Sequence, residues 1–278
     1  MKSVLETITG GADYLGKREI EDARRNMEHL LAHQLGCTRM ALYTQFDRPL
    51  DEDILVPLRE ALKKRGEGIP LQHLLGFVPF HGRDFISDAR ALIPRPETEE
   101  LAEMILARLP DGALRILDVG CGSGVLGLTL AAERPTSHVT LADISPDALS
   151  LTRENAAKLG LENISICESD LFSKITGSFD LIVANLPYVP EGEAKEMARE
   201  LHHDPALALF SGEDGLDLLN RFVPEAFHFL KPGGLIALEI GHDQASQLRI
   251  SLESSGFQEI EVRQDLAGIA RFPFATHP

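Results

Sequence analysis

Residues 115–127, RILDVGCGSGVLG, decide the fold. Arg115–Val119 reads as a short apolar strand, and Gly120, Gly122 and Gly124 follow it directly before helix-forming residues. Glycines between a strand and a helix let the backbone turn tightly and approach a ligand with no side chain between them. Read literally, Gly122-Ser-Gly124-Val-Leu-Gly127 also satisfies GxGxxG. The loop by itself therefore fits a nicotinamide oxidoreductase, a nucleoside-binding transferase, or a tight β–α turn with no ligand.

Downstream, apolar runs recur at Arg115–Val119, His138–Ala142, Ile164–Cys167, Phe179–Ala184 and Leu235–Ile240. Helical stretches fill the gaps, notably Pro146–Leu159, Asp214–Phe229 and Gln244–Ser255. Near-continuous apolar strands separated by helices predict a parallel sheet covered on both faces. Glu259–Arg263 and Ile269–Phe274 have only a short link between them and predict an antiparallel closing hairpin.

Acidic residues narrow the ligand. Asp143 ends the second strand, about 20 residues past the glycines, where a carboxylate can accept hydrogen bonds from ribose hydroxyls. Asp118 precedes the loop, where an anion opposes a pyrophosphate but suits a cationic amino acid group. Asp170 follows the third strand and can meet an adenine amine, with Leu171 against the ring. Together these favour S-adenosylmethionine over a nicotinamide cofactor, with Cys121 and Ser123 as loop residues beside it. Cys121 has no His or basic residue nearby in sequence and reads as a small filler, not a nucleophile.

The fourth strand runs into Asn185-Leu186-Pro187-Tyr188. An amide or aromatic amine is a poor nucleophile because its lone pair is delocalised. A site that methylates it must hold both N–H groups so that the lone pair faces the methyl donor. The Asn185 side-chain oxygen and the Leu186 main-chain carbonyl are two such acceptors, and Tyr188 can lie flat on the planar group.

Upstream, residues 1–66 read as helices only. One helix spans Glu19–Leu35 and stops at Gly36, and another is capped by Asp51 and runs through Arg65. Gly76–Phe80 and Asp84–Ile86 flank a turn at His81-Gly82-Arg83 and predict a hairpin, with Phe77, Phe80 and Phe85 as its core. Pro96 and Glu97 then start a helix to Leu109. Arg95 is either structural or in contact with cofactor or substrate. His202-His203-Asp204 reads as solvated surface and not as metal ligands.

The 278 residues are 44% hydrophobic and 25% charged, ordinary globular usage that excludes a disordered chain. Three scattered cysteines exclude a disulfide framework and a CxxC metal knuckle. No apolar run reaches the ~18 residues that span a bilayer, and the first 25 residues lack a secretory h-region, so a cytoplasmic location is expected. Net charge is −16, and residues 91–278 carry −15 of it. An acidic body argues against broad nucleic-acid binding by the larger part; it suits a basic partner, or does no more than keep the protein soluble.

Beyond these readings, the chain resembles the protein-(glutamine) methyltransferases that modify peptide chain release factors. The resemblance rests on PLQHLLG, FHGRDF and LIPRPETEEL, on ILDVGCGSG, LADIS, NAAKLGL and SDLF, and on PALALFSGEDGLDLL, LKPGGLIALEIGHDQ and DLAGIAR. It implies an α/β fold: a seven-stranded S-adenosylmethionine-dependent methyltransferase (Rossmann-like) domain at 91–278. A small helical N-terminal substrate-recognition domain at 1–69 would be joined to it by a β-hairpin linker at 70–90. It also implies that Gly120–Gly124 and Asp143 hold the cofactor, that Asp170 and Leu171 border the adenine, and that Asn185 and Tyr188 hold the glutamine of a class I release factor. No metal and no membrane are expected. The family's tetrapeptide is Asn-Pro-Pro-Tyr, and Leu186 stands at its second position here. Asn-Leu-Pro-Tyr also occurs in enzymes that methylate adenine amines in ribosomal RNA, so a nucleic-acid adenine is one alternative acceptor; a ribosomal-protein glutamine is another.

Overall fold

The computed structural model describes residues 2–195 and 199–278. Contacts divide the chain into two units, Met1–Phe77 with Ala198–His203, and Val78–Met197 with Asp204–Pro278.

The first unit is mostly helical. Strand β1 (Lys2–Ser3) leads into α1 (Val4–Gly16), where Ser3 and Glu6 form a reciprocal capping box. Helix α2 spans Ala23–Gln34. It starts later than the expected Glu19, because Glu19 and Asp22 adopt positive φ values of 60° and 48° that no helix accommodates. Its end is as expected, with Gly36 at φ 61°. After α3 (Arg39–Leu42), β2 (Pro49–Leu50) pairs antiparallel with β1, a small ladder inside a region read as helices only. Asp51 precedes α4 (Glu52–Gly66), although its side chain makes no capping bond. Within the stretch expected as a hairpin linker, α5 (Leu71–Leu75) packs Leu71, Leu74 and Leu75 onto the same core as Ile8, Leu31 and Leu58.

The expected hairpin follows as β3 (Phe77–Phe80) and β4 (Arg83–Ile86). His81 and Gly82 have φ of 48° and 72°, the two positive values that a two-residue hairpin turn matched to strand twist requires. Phe80 and Phe85 meet edge to face at 6.0 Å and are buried.

The second unit continues with α6 (Pro96–Leu106), β5 (Arg115–Val119), α7 (Val125–Glu133), β6 (His138–Asp143), α8 (Pro146–Leu159), β7 (Ile164–Glu168) and β8 (Phe179–Asn185). It ends with α9 (Asp217–Phe229), β9 (Leu230–Glu239), α10 (Ala245–Ser254), β10 (Gln258–Gln264) and β11 (Ala270–Thr276). Helix α9 starts three residues after the expected Asp214, whose carboxylate instead accepts the Leu216 N–H in a local turn. The seven strands lie in the order β10-β11-β9-β8-β5-β6-β7. Strands β9 to β7 are parallel, and β11 runs antiparallel between β9 and β10, the closing hairpin expected from sequence. Ile116 and Leu117 point into different clusters, one on each face, and both are fully buried. This is why the strands read as near-continuous apolar runs. Strand order reverses between β5 and β8, so the ligand crevice belongs at their carboxyl ends.

Candidate active site

A cavity of about 290 Å³ opens at those carboxyl ends. Its walls include Asp118, Gly120, Cys121, Gly122, Ser123, Asp143, Asp170, Leu171, Asn185, Leu186 and Pro187. Of the residues expected at the site, Gly124 and Tyr188 are not among its lining. Gly124 instead starts α7 with φ 83°.

The glycine loop is braced by its neighbours. The N–H groups of Gly120 and Cys121 both donate to the Ala142 carbonyl, at 2.8 and 3.0 Å. Asp143 accepts from Gly122 N–H at 2.8 Å with one oxygen and from Ser145 N–H at 2.9 Å with the other. The residue expected to meet a ribose thus also ties the β5 and β6 loops together. Asp118 accepts the Gly127 N–H at 2.8 Å. A β-carbon on Gly127 would come within 2.7 Å of the Asp118 carboxylate, so only glycine lets α7 sit this close to β5. Burial pushes the Asp118 carboxyl up to about 7, against the pull of the Gly127 N–H, and the nearby Asp143 charge adds to the rise. A buried carboxyl held by one N–H fits a cationic ligand group, and the glycines leave backbone open to a nucleoside. These residues fit S-adenosylmethionine. Cys121 is buried 3.7 Å from the Thr152 hydroxyl, and burial pushes its thiol well up, which does not suit a nucleophile.

At the far end Asp170 pairs with Arg221 of α9 at 2.9 Å, a partner that sequence reading did not foresee. Leu171 is buried with φ 45°, and the Ser169 hydroxyl holds its carbonyl at 2.9 Å. Ile144, half exposed, lines the same end.

Asn185 ends β8, and strand register places it beside Glu239 at the end of β9. The Asn185 Nδ2 donates to the Thr98 hydroxyl at 3.1 Å. Thr98, in the first turn of α6, donates its own proton to Glu239 Oε2 at 2.7 Å. Both Thr98 and Glu239 are buried. Burial pushes the Glu239 carboxyl up to about 7, offset in part by the Thr98 hydroxyl. Leu186 is buried and Tyr188 is half-buried, its phenol pushed up to about 12 first by burial and then by Glu239. Gln244 fastens the tetrapeptide from behind. Its Nε2 donates to the Tyr188 carbonyl at 3.0 Å and to the Gly215 carbonyl at 3.2 Å, and its Oε1 accepts the Gly241 N–H at 2.9 Å. Thr98, Glu239 and Gln244 lie in PRPETEEL, LIALEIG and GHDQ. The one signal available for them was a buried-type position carrying a polar residue at a strand or helix end.

Arg95 lines the cavity and donates to Asp204 at 2.8 Å, and Asp204 also accepts the Ile93 N–H at 3.2 Å. Asp204 is buried, which corrects its reading as solvated surface, and it anchors the chain on one side of the cavity. Among the described residues there is no cluster of three or more side chains suited to hold a metal ion. No helix among them is long and apolar enough to cross a membrane.

Comparison with known proteins agrees with this geometry. Residues 97–214 match the Methyltransferase small domain family and residues 6–76 match the PrmC N-terminal domain family. The chain is 43% identical over 244 residues to the release factor glutamine methyltransferase of Deinococcus radiodurans, covering 87% of each chain. It is 35% identical over 255 residues to that of Salmonella typhimurium, covering 91% of this chain and 92% of the relative. Among solved structures, a Thermus thermophilus 16S rRNA N2 G1207 methyltransferase in complex with AdoMet and guanosine shares the fold at a TM-score of 0.54. It is 21% identical, over 73% of this chain and 50% of that one. A ribosomal protein L11 methylase from Lactobacillus delbrueckii shares it at 0.50 and 23% identity, over 66% and 78%.

Proposed function

Since this chain belongs to the release factor glutamine methyltransferase family, we propose that its cleft methylates the glutamine side-chain amide in the Gly-Gly-Gln motif of class I peptide chain release factors. The observation that carries this reading is the meeting of Asn185, the glycine loop and the buried Asp118 around one cavity. S-adenosylmethionine, the methyl donor, supplies an electrophilic sulfonium methyl when bound. Asp118 would hold its amino group, Asp143 its ribose, and Asp170 with Leu171 its adenine.

The chain's own residues do the positioning. The Asn185 side-chain oxygen and the Leu186 carbonyl accept the two N–H groups of a primary amide and so aim its nitrogen lone pair. Tyr188 supplies an aromatic surface behind the acceptor and Gln244 keeps that loop rigid. No strong base is needed, because the product amide is cationic only transiently and its proton can leave to water. Rate enhancement comes from orientation and fixed dipoles. The helical unit at residues 1–69 is the surface proposed to recognise the release factor. A substrate of this kind places the reaction in the cytoplasm. The test is methyl transfer from labelled S-adenosylmethionine to a purified release factor and to the same factor with its motif glutamine replaced by alanine. Label on the first and none on the second is expected; equal labelling of both would refute the reading.

A further inference from the structure

We propose that Thr98 and Glu239 are a positioning pair that fixes which end of the Asn185 amide faces the substrate. This rests on the reading of the cleft as a primary-amide site. The two ends of an Asn side chain have nearly the same shape, and a half-turn about its last bond exchanges an acceptor for a donor. Only the oxygen can receive a substrate N–H, so a turned Asn185 would meet the substrate donor to donor.

The hydrogen-bond order removes that ambiguity. An ionised carboxylate only accepts, so Glu239 takes the single Thr98 proton, at 2.7 Å. The Thr98 oxygen is then left as an acceptor towards Asn185, and Nδ2 fills it at 3.1 Å. The Asn185 oxygen is thereby left for the substrate. In the turned arrangement two oxygens would face each other with no proton between them. Protonating Glu239 undoes the order: its new O–H can donate to Thr98, and the Thr98 proton becomes free to turn towards Asn185. The groups that set this titration are Glu97 of α6, Arg271 of β11, Thr98 and Asn185, with Tyr188 facing the same carboxylate. Burial outweighs them and pushes the carboxyl up to about 7.

The experiment compares wild type, Thr98→Val, Thr98→Ser and Glu239→Gln at saturating S-adenosylmethionine with a purified release factor. Valine keeps the shape of threonine and loses the hydroxyl; serine keeps the hydroxyl. Thr98→Val should lose about 10- to 100-fold in kcat/KM, and Thr98→Ser should restore most of it. Release-factor affinity measured with S-adenosylhomocysteine present should weaken in Thr98→Val, while affinity for S-adenosylhomocysteine itself stays within about threefold. Wild-type kcat should rise between pH 6 and 8, and Glu239→Gln should flatten that rise. The inference is overturned if Thr98→Val transfers methyl within about threefold of wild type, or if Thr98→Ser falls equally far. Should Glu239→Gln fail to fold, the valine and serine pair decides alone. If wild type labels no release factor at all, the reading of the cleft fails and not the hydrogen-bond order.

Discussion

The Leu186 side chain lies against Gly120: a β-carbon on that glycine would come within 2.7 Å of Leu186 Cδ2. The acceptor tetrapeptide and the cofactor loop are thus in direct contact at the switch between β8 and β5. Gly120 also holds φ at 70°, where any other residue is strained. Gly120→Ala should cost roughly 1–2 kcal/mol of stability from the backbone alone. It should also weaken S-adenosylhomocysteine binding by about tenfold, read by calorimetry and thermal melts. Unchanged affinity would show that the loop tolerates movement. Leu186→Pro keeps the acceptor carbonyl and should leave transfer to a release factor intact or slightly improved. A fall beyond about tenfold would mean that the leucine side chain itself orders the site.

Asn185→Ala removes one of the two acceptors that aim the amide. Initial rates should fall by roughly 10²–10³, the size expected for one preorganised polar contact. Cofactor affinity should change much less. Near-normal turnover would reduce Asn185 to a turn residue.

Asp118 titrates near 7 in the fold and at 3.8 when free of it. It therefore binds more protons folded than unfolded between those values. Its contribution to stability is full below about pH 4 and is lost as pH rises through about 7. Asp118→Asn keeps an acceptor for the Gly127 N–H and removes this loss. Melting curves of the ligand-free protein should show the variant ahead of wild type at pH 8, by up to a few kcal/mol, and less so at pH 5. S-adenosylhomocysteine should bind the variant more weakly. A wild type that melts higher than the variant at pH 8 would place a cation beside Asp118.

Residues 91–278 carry the chain's negative charge, a net −15. A partner that presents a basic face should be drawn in by this acidic body. Stopped-flow association should slow as salt rises from 0.05 to 0.5 M, because screening shortens the ~10 Å reach of charge at 0.1 M. Faster association at high salt would indicate a phosphate-bearing partner.

Much of this was legible in the chain itself, for identifiable reasons. Strands buried on both faces, such as Arg115–Val119 and Phe179–Asn185, leave near-continuous apolar runs, and the glycines between β5 and α7 hold positive φ values that other residues adopt only under strain. The late start of α2 was hidden because Glu19 and Asp22 take left-handed angles with no glycine to announce them. Thr98, Asn185 and Glu239 are brought together only by topology: Asn185 stands 87 positions after Thr98, and Glu239 stands 141 after it. Their bonds follow from neighbouring strand ends and the start of α6, which local pattern cannot pair. The same holds for Arg221 with Asp170 and for Arg95 with Asp204, 51 and 109 residues apart.

Fragment mass mapping after incubation with labelled S-adenosylmethionine, purified release factor and ribosomal RNA together tests the central claim most directly. A single methyl group on the side-chain amide of the Gly-Gly-Gln glutamine, with the RNA unlabelled, is the predicted result. Methylated adenine in the RNA with an unmodified release factor would contradict it.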